Sequence, residues 1–147
     1  MNMPGNDFRT LQIEIVRMRI AFRQCVMRLL KNHGVGISYE MVQVMSSLWR
    51  EHGVSQQVLA ERTAKGKATL SSLMNNLERK GYIYRREDPA DRRNKLVFMT
   101  PEGEAFWHRI LPLLNEQYAR LEQHLGLQRI QRMTRELMEI EDALQKA

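Results

Sequence analysis

The chain has 147 residues, 43% hydrophobic and 27% charged, enough to bury a core without staples and too apolar for wholesale disorder. Its single cysteine, Cys25, excludes an intramolecular disulfide framework and a Cys-rich zinc site. The formal net charge is +6, which directs attention to polyanionic partners.

Residues 8–31 read as one long helix with apolar positions at Phe8, Leu11, Ile15, Phe22, Cys25, Val26, Leu29 and Leu30. Ile13, Val16 and Ile20 add a second apolar strip, so this helix is expected to be covered on more than one side. Gly34-Val35-Gly36 ends it. Ser38 then caps a helix over 39–51, with Met41, Val44, Met45 and Leu48 as its inner stripe. Gly53-Val54 breaks the chain, and Ser55 caps a short helix over 56–63 with Val58 and Leu59 facing in. Ala64-Lys65-Gly66 reads as a turn. The next helix runs from about Lys67 to Lys80, with an inner stripe at Leu70, Leu73, Met74 and Leu77, and stops at Gly81.

Tyr82–Glu87 alternates into a short strand and Leu96–Met99 into a second. The segment between them, Asp88-Pro89-Ala90-Asp91-Arg92-Arg93-Asn94, reads as a polar loop opened by a turn dipeptide. Thr100-Pro101 starts a fifth helix as N-cap and N1, Pro112 is expected to kink it about three turns in, and Gly126 ends it. A last helix over 127–145 places Ile130, Met133, Leu137, Ile140 and Leu144 on an a/d seam suited to a partner helix.

This order is that of a winged helix-turn-helix: mainly α, with a small β-hairpin wing. Residues 62–95 hold ten basic groups against four acids, so the whole charge excess lies in this part of the chain. The outer face of the helix beginning at Lys67 carries Ala68, Ser71, Ser72, Asn75 and Asn76, with Lys65, Lys67 and Thr69 near its N-terminal end. Small polar groups, asparagine and lysine suit a helix lying in the major groove of double-stranded DNA; large acids would be repelled by phosphate. Arg92 and Arg93 are expected at the tip of the wing, with Asp91 pairing a nearby arginine, and Arg86 on the strand leading there. A guanidinium on a thin ribbon fits the narrow minor groove.

Residues 36–125 also resemble the MarR family of winged-helix transcriptional regulators. The likeness is carried by Leu59-Ala60-Glu61-Arg62, by Leu77-Glu78-Arg79-Lys80-Gly81-Tyr82-Ile83, by Asp88-Pro89-Ala90-Asp91-Arg92-Arg93 and by Met99-Thr100-Pro101-Glu102-Gly103. It implies one unit over 1–147: a DNA-binding part at 36–100, and dimerisation helices at 1–35 and 101–147. It further implies a homodimer and a wing arginine matched by Arg93. A repressor released by an apolar or aromatic effector also follows from it, the effector held in a pocket for which Phe22, Met45, Trp49 and Trp107 are candidates. Two departures stand out. Gly66 occupies the cap position where the family often has Ser or Asp, and Ser72 stands where it often has Arg.

Other readings are weaker. The basic wing of a dimeric interaction module would serve acidic protein instead of DNA. A thiol sensor would use Cys25, but Cys25 shares the apolar register of Phe22, Val26 and Leu29, and a buried thiol is inert. The four histidines lack metal-site spacing, and the chain shows no nucleophile elbow, Walker loop or dinucleotide fingerprint, so neither metal, cofactor nor enzymatic activity is expected. No run of 18 apolar residues suggests a membrane span. Arg9, Arg17, Arg19 and Arg23 interrupt any secretory signal, which makes the cytoplasm the expected compartment.

Overall fold

A computed structural model describes residues 3–63 and 65–147. Ala64, placed in a turn by the sequence, lies outside the described residues. The chain divides into two units, one running to Ile110 and one from Leu111 to Ala147.

In the first unit, helix α1 spans Asn6–Asn32 and α2 spans Tyr39–Arg50. Ser38 caps α2 as expected, its Oγ accepting the Met41 N–H at 3.2 Å. Strand β1, Val54–Ser55, follows, and then helix α3, Gln56–Thr63. Ser55 Oγ accepts the Val58 N–H at 3.1 Å, so the same serine ends the strand and opens the helix. Helix α4 covers Lys67–Arg79. It closes in a Schellman arrangement: the Tyr82 N–H reaches Leu77 O and the Gly81 N–H reaches Glu78 O, both at 3.0 Å. Gly81 makes that turn possible with φ of +81°.

Strands β2, Ile83–Asp88, and β3, Asp91–Met99, form an antiparallel hairpin, and β1 adds to the far side of β3, giving the order β1-β3-β2. Two sequence expectations are corrected here. Val54, expected only to break the chain, and Ser55, expected only to cap the next helix, also form a strand that pairs with Val97 and Leu96. The wing is also longer than expected. Only Pro89 and Ala90 separate its strands, because Asp88 Oδ1 accepts the Ala90 N–H at 2.9 Å and folds a tight turn.

The pairing steps from Glu87↔Lys95 directly to Asp88↔Asp91. Arg92, Arg93 and Asn94 therefore bulge out of the ladder just beyond the tip, instead of forming the tip. Asp91 does not need an arginine side chain to hold this bulge; its Oδ1 accepts the Arg93 backbone N–H at 3.1 Å.

The core of this unit comes from the expected stripes. Val44, Met45 and Leu48 of α2, Leu59 of α3, and Leu70, Met74 and Leu77 of α4 are at most 1% exposed, as is Val97 of β3. Val58 and Leu73, expected inside, are only half-buried. Helix α5, Pro101–Leu125, begins on Thr100, whose Oγ1 accepts the Gly103 N–H at 2.9 Å and donates to Gly81 O at 2.5 Å. One hydroxyl thus ties the start of α5 to the end of α4. Gly103 is required here: a Cβ on it would lie 2.1 Å from the Tyr82 carbonyl oxygen. The unit boundary falls within α5, beside Pro112, through which the helix continues.

The second unit holds the rest of α5 and helix α6, Leu127–Lys146, after Gly126 with φ of +92°. No residue of α6 is buried. Its seam positions Met133, Leu137 and Leu144 are exposed in the single chain, with Ile130 and Ile140 partly covered. In α1 only Val26 and Leu30 are fully buried, and the second strip of Ile13, Val16 and Ile20 is open, each about half exposed. Cys25, expected to be buried, is half-buried, because the apolar contacts of α1 within the chain gather on the Val26–Leu30 side.

Candidate nucleic-acid interface

Helix α4 turns Leu70, Met74 and Leu77 into the core, which fixes the rest of its surface as an outer face. Lys67, Ala68, Thr69, Ser72 and Asn75 are exposed there, and Ser71 and Asn76 are half-buried. The N-cap is Gly66, which has no side chain to offer the first-turn N–H groups. Those donors and the positive end of the helix dipole are available to an anion.

A cleft of about 810 Å³ opens beside this end of α4, bounded by α3 and the wing. Its cations are Lys65 and Lys67 from the α4 side and Arg93 and Lys95 from β3; Glu61 and Asp91 are its acids. The structure thus brings Lys65, Lys67 and Arg93 to one place, although Arg93 is 26 positions or more away in sequence. Arg92 stands exposed on the same bulge but does not line the cleft. Lys95 and Asn94, also in the lining, were not singled out from sequence. Their signal was weak, since both sat in a segment read as loop or strand edge.

Arg86 is exposed on β2 and held from below. Tyr84 and Phe98 are cross-strand partners with stacked rings 5.2 Å apart. The Arg86 guanidinium lies 5.3 Å and 5.4 Å from their two centroids, a cation–π seat that limits its wandering. Phe98 in turn rests on Gly53, where φ is +71° and a Cβ would come 2.9 Å from the ring.

Arg85, missed by the sequence reading, points the other way, to α4. It pairs with Glu78 at 2.6 Å and reaches Asn75 Oδ1 at 2.9 Å. The signal was available: Arg85 is two residues from buried Ile83, so strand alternation places it on the helix-facing side. Asn76 Oδ1 accepts from Arg79 Nη1 at 3.3 Å. Both asparagines expected to read bases are therefore engaged by arginines of this chain.

The pocket candidates are scattered by comparison. Met45 and Trp107 are core residues, at most 1% exposed. Phe22 meets Tyr39 edge-on at 6.0 Å, and Trp49 meets His108 edge-on at 4.7 Å. None of the four lines the α4 cleft or the second cleft at the end of α1, around Met27, Leu30 and Val35. Among the described residues no group of three or more metal-ligating side chains occurs, and no helix is long and apolar enough to cross a membrane.

Three helices, a β1-β3-β2 sheet and a protruding β2–β3 hairpin define a winged helix-turn-helix fold. The MarR family model matches residues 36–94, the segment from the approach to α2 through the wing. The transcriptional regulator HosA of Escherichia coli O111:H- is 33% identical over 97 residues, covering 61% of this chain and 72% of HosA. The chain belongs to the MarR family, whose members are transcriptional regulators and not enzymes.

Solved structures agree on the fold. The transcriptional repressor CouR, bound to a 23-mer DNA duplex, superposes with a TM-score of 0.79 at 19% identity, over 96% of this chain and 99% of CouR. NadR in complex with 4-hydroxyphenylacetate gives 0.77 at 22% identity, over 88% of this chain and 91% of NadR.

Proposed function

We propose that this protein is a cytoplasmic repressor that binds a palindromic operator in double-stranded DNA as a homodimer and is released by a small apolar or aromatic effector. The observation that carries the DNA reading is the conjunction at α4: an open, small-polar helix face beside a cleft with four cations, flanked by an arginine-bearing hairpin. In this reading Lys67, Ala68, Thr69, Ser71, Ser72, Asn75 and Asn76 enter the major groove. Lys65 holds phosphate beside them. Arg86, Arg92 and Arg93 follow the adjacent backbone and minor groove. An acidic protein surface would not call for a helix face so free of large side chains.

The homodimer is supported by apolar surface that a lone chain leaves wet. On α1, Ile13, Val16, Met18 and Ile20 are about half exposed, and on α6, Leu127, Leu137, Met138 and Leu144 are similarly open. Helices with such faces are covered by a partner, and residues 1–35 and 101–147 are the proposed dimerisation segments. A two-fold dimer reads a two-fold site. The effector reading rests on family membership and on NadR, which holds 4-hydroxyphenylacetate. Phe22, Met45, Trp49 and Trp107 remain its proposed contacts.

Selection of bound sites from random duplex DNA, with sedimentation of the intact protein, tests the reading. The expected result is a symmetric site and a dimer. A 17.4 kDa monomer at micromolar concentration, or binding without sequence preference, would refute it.

A further inference from the structure

Arg85 reaches from β2 to α4 and grips two residues there. Its Nε donates to Glu78 Oε2 at 2.7 Å, and its Nη2 donates to Asn75 Oδ1 at 2.9 Å. Asn75 and Glu78 are three apart on the helix, so one planar guanidinium spans both. Arg85 stands opposite buried Val97 in the register, on the side of the sheet that meets α4, with 23% of its side chain exposed. A guanidinium has donors only. The Asn75 group facing it is therefore the carboxamide oxygen, and the NH2 group is left for another partner.

This fixes something that a surface asparagine ordinarily leaves open. The terminal torsion of asparagine is broad and roughly two-fold, so an unheld carboxamide exchanges its donor and acceptor ends. Base edges distinguish those ends. Guanine offers two acceptors in the major groove, adenine an acceptor and a donor, and cytosine a donor. A carboxamide held in one orientation meets one of these patterns well, whereas a freely flipping one meets several poorly.

Resting on the proposed placement of α4 in the major groove, we propose that Arg85 is a specificity-determining positioning residue: from the wing, it fixes the orientation of the Asn75 carboxamide and so the base that Asn75 reads. Its charge is already matched by Glu78, so its effect falls on sequence preference and not on attraction to phosphate. The wing and α4 then act as one reading unit.

The test is selection from random duplex DNA with the full-length parent, Asn75→Ala, Arg85→Ala, Arg85→Lys and the Asn75→Ala/Arg85→Ala double variant, with salt titrations on each. Asn75→Ala is expected to change preference at one base pair in each half-site. Arg85→Ala should flatten preference at that same base pair by roughly 5- to 10-fold, leave the other positions and the salt slope unchanged, and add nothing in the Asn75→Ala background. Arg85→Lys retains the charge but replaces a planar fork by a point donor. It should show the same localised loss, and it serves if the alanine variant fails to fold. The proposal is overturned if Asn75→Ala shifts preference while both Arg85 variants keep the parental site. It is also overturned if the Arg85 variants lower affinity with a shallower salt slope and parental preference, which would make Arg85 a phosphate contact. If Asn75→Ala itself selects the parental site, the fault lies in the premise that α4 reads bases there, and the proposal falls with it.

Discussion

Salt is the perturbation that bears most directly on the charged face. Of the ten basic groups between residues 62 and 95, two are tied into ion pairs among the described residues: Arg62 with Glu51 at 2.5 Å and Arg85 with Glu78 at 2.6 Å. Their charges are neutralised within the chain. The remaining cations include the four of the α4 cleft and Arg86 and Arg92 on the wing. If three of these neutralise phosphates in each subunit, a dimer covers about six, and each releases about 0.9 counterion. The slope of log affinity against log salt is then near −5, and a fourfold rise in salt weakens binding about 10³-fold. Fluorescence anisotropy with a selected duplex from 50 to 200 mM salt measures this. A slope shallower than about −2 for the dimer would show that fewer than about three phosphates are met in all. It would refute the assignment of this face to nucleic acid.

Further outcomes follow from single contacts. Arg93→Ala is expected to cost roughly 1–3 kcal/mol of DNA affinity per half-site with little change in folding; equal affinity at matched salt would show that the wing bulge does not touch DNA. Gly103→Ala pits a gain of about 1 kcal/mol in helix propensity against a Cβ placed 2.1 Å from the Tyr82 carbonyl oxygen. The clash wins, because the Tyr82 carbonyl is backbone, the Cβ has no torsion by which to move away, and α5 is pinned by Thr100, so thermal unfolding should show a loss of about 2 kcal/mol or more; an unchanged or raised Tm would contradict the close packing of α5 on Tyr82. Cys25→Ser should leave DNA binding and any response to peroxide as in the parent, and loss of a parental response in an anisotropy assay would make the protein a thiol sensor. The hydrogen bond from Arg23 holds the Glu40 carboxyl below its ordinary value of 4.5. A carboxyl depressed in the folded state stabilises above its unfolded value and loses that contribution as pH falls through the folded one. Glu40→Gln should therefore lower Tm slightly at pH 7 and converge with the parent as pH falls through the lowered folded value of Glu40; a gap that stays constant on acidification would show that the pair is not the cause.

The sequence by itself determined the helices, because each has apolar residues at helical spacing and a local start or stop signal. Ser38, Ser55, Thr100 and Gly81 each act within three residues of the backbone groups they satisfy, and such signals survive without knowledge of the fold. The same periodicity exposed the outer face of α4, and counting charges located the basic segment. What the sequence left undecided depends on partners distant in the chain. β1 is two residues long and exists only through Val97 and Leu96. The wing strands run on to the Pro89–Ala90 turn through polar residues that show no apolar alternation, so their pairing had no local mark. Register alone predicts a buried Cys25, but burial depends on what packs against a stripe, and on α1 that is confined to the Val26–Leu30 side. The assembly of Lys65, Lys67, Arg93 and Lys95 around one cleft, and the grip of Arg85 on Asn75, were decided by the tertiary structure. Periodicity tells which face of an element turns inward. Only the packing of one element on another tells which side chains of the two outward faces come within reach of each other.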